Sequence, residues 1–309
     1  MAQSSVLLLG PFQIQSDGIT VTHLRLAKAQ ALLAYLAVEA DRPHPRSELA
    51  SLLWPEQPED QALPNLRQAL VRLRQALAGG EDPLLVTRQT AQWRDGAAAV
   101  DVAAFLRLAD SSEVADLEQA AALYRDEFLT GFGLADCEAF EDWLLLTRER
   151  LGHQVLDVLQ RLAEGYLAVG QPADAVAAAR RQLTLDPWRE PAYRQLMRAL
   201  AQSGDRAGAL AAYARCCRVL SDELDITPDE ETRLLAEQIE AGAVPAQGER
   251  PVPATGPTRT HNLPAPLASL VGREEELGIL RGRLQEADGR LVTVVGAGGS
   301  GKSRLALWT

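Results

Sequence analysis

The sequence predicts a mainly α, multidomain chain, and three observations point to it. Residues 64–77 place Leu66, Ala69, Leu70, Leu73 and Leu77 at i, i+3, i+4, i+7 and i+11, the apolar stripe of an amphipathic helix. Gly170 and Gly204, Ala173 and Ala207, and Ala175 and Ala209 stand 34 residues apart in a stretch with helical periodicity throughout. Residues 296–303 read Gly-Ala-Gly-Gly-Ser-Gly-Lys-Ser directly after the apolar run Leu291-Val292-Thr293-Val294-Val295, so a strand runs into a G-x-x-x-x-G-K-S loop. A chain of 309 residues has room for two or three such units, each with its own core.

Composition narrows the class. With 47% hydrophobic and 24% charged residues the chain is expected to fold. It shows no apolar run of membrane-spanning length and no signal-peptide pattern, so a cytoplasmic location is expected. Cys137, Cys216 and Cys217 are odd in number and lack C-x-x-C spacing, which favours reduced thiols. The four His are scattered and predict no metal centre. The net charge of −11 is unevenly spread. Residues 1–104 carry 9 basic and 11 acidic side chains, residues 105–243 carry 14 and 25, and residues 244–309 carry 8 and 6. The middle block holds the imbalance, which leaves the first free to present a positive patch.

Taken in order, residues 6–9, 12–14 and 19–21 read as short strands separated by Gly10-Pro11 and Asp17-Gly18. A helix follows over residues 27–40, broken by Arg42-Pro43-His44-Pro45, with Pro45 suited to the first turn of a second helix carrying Leu49, Leu52 and Leu53. Trp54-Pro55-Glu56-Gln57-Pro58 ends that helix. Asp60 can cap a third, with Pro64 keeping its start nearby. Residues 84–87 and 92–94 then form a candidate hairpin with Arg88 near its tip. Strands, three helices and a hairpin make a winged helix-turn-helix with an N-terminal sheet over residues 1–101, in which the third helix holds the reading position.

A rotation of about 100° per residue sets Gln68, Val71, Arg72 and Gln75 opposite the apolar stripe, with Asn65, Arg67 and Arg74 on its shoulders. Arg pairs with guanine and Asn or Gln with adenine in a major groove, so these seven residues and Arg88 are the candidate DNA contacts. The competing reading is a solvated helix in an all-helical interaction domain.

Residues 102–243 read as a TPR-like α-solenoid, with Tyr166, Leu167, Val176, Leu183, Leu196, Leu200, Leu210, Tyr213 and Leu220 as its expected core. Asp186-Pro187 closes the first copy. In the second, Ser221 stands where that proline would fall, and a closing proline arrives only at Pro228. Six prolines between residues 244 and 267 predict an extended linker.

Residues 268–309 then open an α/β P-loop NTPase. Gly296, Gly298, Gly299, Ser300 and Gly301 let backbone N–H groups curl around phosphates, Lys302 neutralises their oxygens, and Ser303 can ligate Mg²⁺. The sequence stops six residues after Ser303, so no Walker B carboxylate is expected in it and no hydrolysis.

Several segments carry a resemblance. Lys28-Ala29-Gln30-Ala31-Leu32-Leu33-Ala34-Tyr35-Leu36, Leu52-Leu53-Trp54-Pro55 and Asn65-Leu66-Arg67-Gln68-Ala69-Leu70 are similar to the winged-helix domain of Streptomyces antibiotic regulatory proteins. Asp101-Val102-Ala103-Ala104-Phe105, Leu123-Tyr124-Arg125-Asp126-Glu127-Phe128-Leu129-Thr130-Gly131-Phe132, Phe140-Glu141-Asp142-Trp143-Leu144 and Arg148-Glu149-Arg150-Leu151 resemble the bacterial transcriptional activation domain. Residues 270–303 look like the start of a STAND-class regulatory NTPase, whose Val-Gly-Arg segment, here Val271 and Arg273 about Gly272, lies near the adenine. The Gly-Tyr common at the second wing strand is absent. The resemblance implies an activator that binds double-stranded DNA at promoter repeats and recruits RNA polymerase, with ATP and Mg²⁺ working a switch in the complete protein and self-association as one route. A nucleotide-operated scaffold, in which the first domain and repeats bind protein, is the alternative.

Overall fold

The computed structural model describes residues 4–16, 19–20, 24, 26–77, 81–94 and 96–244. The expected linker from residue 245 onward and the phosphate loop, with Val271, Arg273, Gly296, Gly298, Gly299, Ser300, Gly301, Lys302 and Ser303, lie outside the described residues.

Three short strands open the chain: β1 (Ser4–Leu7), β2 (Gln13–Ser16) and β3 (Ile19–Thr20). They form an antiparallel meander in which Val6 lies opposite Ile14, and a distant strand, β7 (Ala99–Val100), adds parallel to β1 with Val100 beside Val6. The sheet order is β3-β2-β1-β7. Val6, Ile14 and Val100 are buried, the alternation of a sheet with one face on a core.

Helices α1 (Ala27–Val38), α2 (Arg46–Leu53) and α3 (Glu59–Ala76) follow. The second corrects an expectation: His44 and Pro45 do not merely break α1 but form a strand, β4, paired with β6 (Thr90–Trp93), which in turn pairs with β5 (Leu84–Val86). Pro45 is therefore the residue before α2. The third also differs, since α3 opens at Glu59 behind Pro58, Asp60 sits within the first turn without capping, and Pro64 lies inside the helix. A proline so near the N-terminus removes only one early backbone hydrogen bond, and Glu59 and Asp60 favour the positive end of the helix dipole.

The next stretch is helical except for one segment. Helices α4 (Asp101–Ala109), α5 (Val114–Leu123) and the 31-residue α6 (Glu138–Ala168) are interrupted by residues 124–137, which the periodicity had assigned to helix. That segment is pinned from both sides. Leu129 N–H donates to Leu8 C=O at 2.9 Å, and Arg148 donates to the carbonyls of Phe128, Leu129 and Phe132 at 2.8–3.1 Å.

Helices α7 (Pro172–Leu185), α8 (Glu190–Gln202), α9 (Arg206–Leu224) and α10 (Glu230–Glu240) complete the described chain. Gly170 and Gly204 both have φ near +80°, at +75° and +83°, and each follows the C-cap residue of one helix and precedes the N-cap residue of the next. Their 34-residue spacing is thus the spacing of two left-handed helix stops, a conformation that glycine adopts without strain. The solenoid core is smaller than expected. Leu183, Leu196 and Leu220 are buried, but Tyr166, Leu167, Val176, Leu200, Leu210 and Tyr213 are only half-buried. Ala175, Ala179, Ala192, Ala209 and Ala212, with Tyr193, Met197 and Cys216, fill the space between the helices. Small residues let helices approach closely, and this is invisible to a search for large apolar side chains.

Two cores result. One runs without interruption from Val6 to Ala178, through the winged helix and into α6 and α7, and the second spans residues 179–239. The seam between the winged helix and the helices beyond it is chemically specific. The Asp101 carboxylate, 2% exposed, accepts N–H bonds from Leu8 at 2.8 Å and Leu9 at 3.0 Å and meets the Arg125 guanidinium at 3.2 Å. Burial pushes its carboxyl above the usual range, while those N–H donors and Arg125 pull it back. Lys28 pairs with Asp136 at 2.7 Å and lies 5.7 Å from the centre of the Trp54 ring. Trp143 Nε1 donates to Glu39 at 3.0 Å, and the Trp143 ring packs against Tyr35 with centroids 5.0 Å apart.

Candidate nucleic-acid interface

The apolar stripe of α3 is buried as its spacing requires: Leu66, Ala69, Leu70, Leu73 and Leu77 are each at most 3% exposed. The opposite face is open. Arg67, Gln68, Val71, Arg72 and Gln75 are exposed, and no described residue is hydrogen-bonded or ion-paired to any of the four polar ones. Val71, 47% exposed, places an apolar side chain at the middle of a polar row, where a thymine methyl is the complementary group in a major groove.

Two of the expected contacts have other duties. Asn65 is half-buried and donates from Nδ2 to Gln57 Oε1 at 2.6 Å, tying the helix to the loop before it. Arg74 is exposed but also engages the hairpin, with Nε 2.9 Å from Asp82 and Nη2 donating to Leu84 C=O at 3.2 Å. It ties the hairpin to α3 from the shoulder of the open face.

The hairpin itself forms where the sequence placed it, with Arg88 at its tip and exposed. No glycine is needed there because a side chain closes the turn. Thr87 Oγ1 accepts the N–H groups of Thr90 at 2.9 Å and Gln89 at 3.2 Å, while Thr87 N–H donates to Thr90 C=O at 2.9 Å.

One cation escaped the sequence reading. Arg46, the first residue of α2, lines an open groove with Leu63, Pro64, Arg67, Gln68 and Val71, and its Nε is buried without a hydrogen-bond partner among the described residues. A guanidinium at the positive end of a helix is electrostatically misplaced unless an anion comes to it. That misplacement, directly after Pro45, was the available signal. Arg46, Arg67, Arg72 and Arg88 then put cations on α2, α3 and the hairpin, the three elements that border a duplex when α3 enters its groove.

The fold and this face together define a class: a winged helix-turn-helix fused to helical repeats, with its basic helix turned outward. Residues 97–240 match the model of the bacterial transcriptional activator domain family. Over 97% of its length the chain is 32% identical to the regulatory protein AfsR of Streptomyces coelicolor, of which it spans 32%. Over 75% it is 31% identical to the transcriptional regulatory protein EmbR of Mycobacterium tuberculosis, of which it spans 62%. A solved structure of Mycobacterium tuberculosis EmbR, in complex with a low-affinity phosphopeptide, matches with a TM-score of 0.60 at 27% identity, covering 78% of this chain and 66% of that one. The chain is thus similar to bacterial transcriptional regulators and spans about a third of the length of AfsR.

Proposed function

We propose that the chain is a DNA-binding transcriptional activator of the Streptomyces antibiotic regulatory protein type, reading double-stranded DNA through α3. The observation that supports this most is the disposition of the helix. Its apolar stripe is consumed by the core, while Arg67, Gln68, Val71, Arg72 and Gln75 face outward and none of the described activator-domain helices covers them. In this reading Gln68, Arg72 and Gln75 meet base edges with Val71, Arg67 and Arg46 hold phosphates, Arg88 contacts the backbone beside the hairpin, and Arg74 positions the hairpin.

The test is a gel-shift titration with the R72A/Q68A double variant. Both side chains lie off the core, so the expected result is a loss of about tenfold or more in affinity with unfolding nearly unchanged. Equal affinity for both proteins would overturn the assignment. Three phosphate contacts further predict that log K falls with log salt at a slope of about −3.

The partners follow from the same reading: promoter repeats, RNA polymerase as the machinery recruited, and a second copy on a neighbouring half-site, all in the cytoplasm. For residues 268–309 the proposal is a nucleotide-binding module of the STAND class, in which Lys302 and Ser303 hold phosphate and Mg²⁺, with ATP as the nucleotide. This rests on the G-x-x-x-x-G-K-S motif after an apolar run. No hydrolysis is assigned to the chain. K302A should abolish binding of a fluorescent ATP analogue, and unchanged binding would remove this part while leaving the DNA reading intact.

A further inference from the structure

The two repeats of the distal core are unequal, and the inequality builds a surface. Helix α7 has 14 residues, whereas α9 has 19 and runs on past Ser221, where the first repeat has its proline. The extra turn, residues 221–224, stands over the loop that joins α7 to α8. There Trp188 Nε1 donates to Glu223 at 3.1 Å, and Asp186 Oδ1 accepts the Trp188 N–H at 3.1 Å, so the ring is held from both ends while remaining 44% exposed. Leu185 at the end of α7, and Leu224 and Ile226 at the end of α9, are 42%, 47% and 49% exposed. Three large aliphatic side chains therefore come to the surface near one braced tryptophan, an arrangement typical of a protein contact.

The border of this surface identifies its partner by charge. Asp186 and Glu223 bond Trp188, and the exposed Asp222 and Asp225 flank Glu223 and Leu224 on the same turn. Such a border repels nucleic acid and anionic lipid, and it repels an identical copy of itself across a two-fold axis. It attracts Lys and Arg. We propose that the overhang of α9 is a docking surface for a basic amphipathic segment of another protein, whose apolar side chains seat on Trp188, Leu224 and Ile226 while its cations meet the acidic border. Trp188 is the anchor, since a rigid, half-desolvated indole loses little freedom on binding.

The experiment uses a fluorescein-labelled amphipathic helix of leucine and lysine, its counterpart with glutamate for lysine, and the full chain, read by fluorescence anisotropy at low and at moderate salt. The lysine peptide is expected to bind and to weaken as salt rises, the glutamate peptide to give no signal, and W188A to weaken binding by about tenfold or more. I226D, which alters only an exposed position, provides a second variant and should show the same loss, with circular dichroism confirming that both variants fold. Equal binding of the lysine peptide to wild type, W188A and I226D would overturn the proposal, as would equal binding of both peptides or no binding at all. Concentration-dependent self-association seen by sedimentation and removed by W188A would also overturn it, by assigning the surface to a second copy.

Discussion

The two cores solve the same packing problem with different materials. The proximal core, from β1 to the middle of α7, closes on large aromatics and on a buried carboxylate that joins residues 93 positions apart. The distal core closes on alanines repeated along neighbouring helices. Long-range, chemically specific contacts make the winged helix and the first helices beyond it one body, whereas nearest-neighbour packing makes the repeats a stack whose stability is close to a sum of local terms. The first solution fixes the exposed face of α3 in place, and the second presents a surface.

Substitutions can break that contrast, beginning where the effect should be largest. Asp101→Ala leaves the buried Leu8 and Leu9 N–H groups without their acceptor and removes the partner of the solvent-accessible Arg125 guanidinium, and should cost about 3 kcal/mol in urea unfolding and weaken the proposed DNA binding with it. A loss under about 1 kcal/mol would show that the seam does not hold the two parts together. Arg148→Ala strips three carbonyls of their donor and should cost about 2 kcal/mol, measured the same way. In the distal repeats Gly204→Ala places a Cβ in open space but at φ +83°, for a cost of about 1 kcal/mol and no change in DNA affinity. A matching fall in DNA affinity would mean the repeats are coupled to α3 after all.

The smallest and finest distinction comes from thiols. Cys137 is buried at the seam and Cys216 in the distal core; burial pushes both thiols up, Cys216 to about 12, so neither should react in the native protein at neutral pH. In a C217S background, alkylation followed by mass spectrometry at low urea should label Cys216 before Cys137, because local opening of the stack precedes loss of the proximal core. Simultaneous labelling would make the two cores one cooperative unit.

The same contrast governs how much could be read in advance. Local periodicity disclosed the buried and exposed faces of α3, and the 34-residue spacing disclosed the two helix stops, because both depend on neighbours in sequence. The role of Arg74 depends on where Asp82 and Leu84 come to rest, and that of Asp101 on two N–H groups at the other end of the domain. Neither leaves a local trace. Lys28 and Trp143 lie in segments that resemble a family, yet only the fold shows that Lys28 meets Asp136 and Trp143 meets Tyr35 and Glu39 across the seam. The alanine core left little trace since small residues carry little hydrophobic signal, and at the hairpin tip the Thr87 hydroxyl closes a turn that has no glycine.

Helix α6 adds a geometric consequence to the proposed reading of DNA through α3. Its 31 residues form a rod of about 45 Å that begins against the winged helix and ends beside the repeats. Such a rod works as a ruler. Under that proposal, whatever grips the far end is carried at a set distance and, because duplex DNA turns, on a set side of the operator, so shifting the operator by half a helical turn is expected to silence activation while occupancy persists.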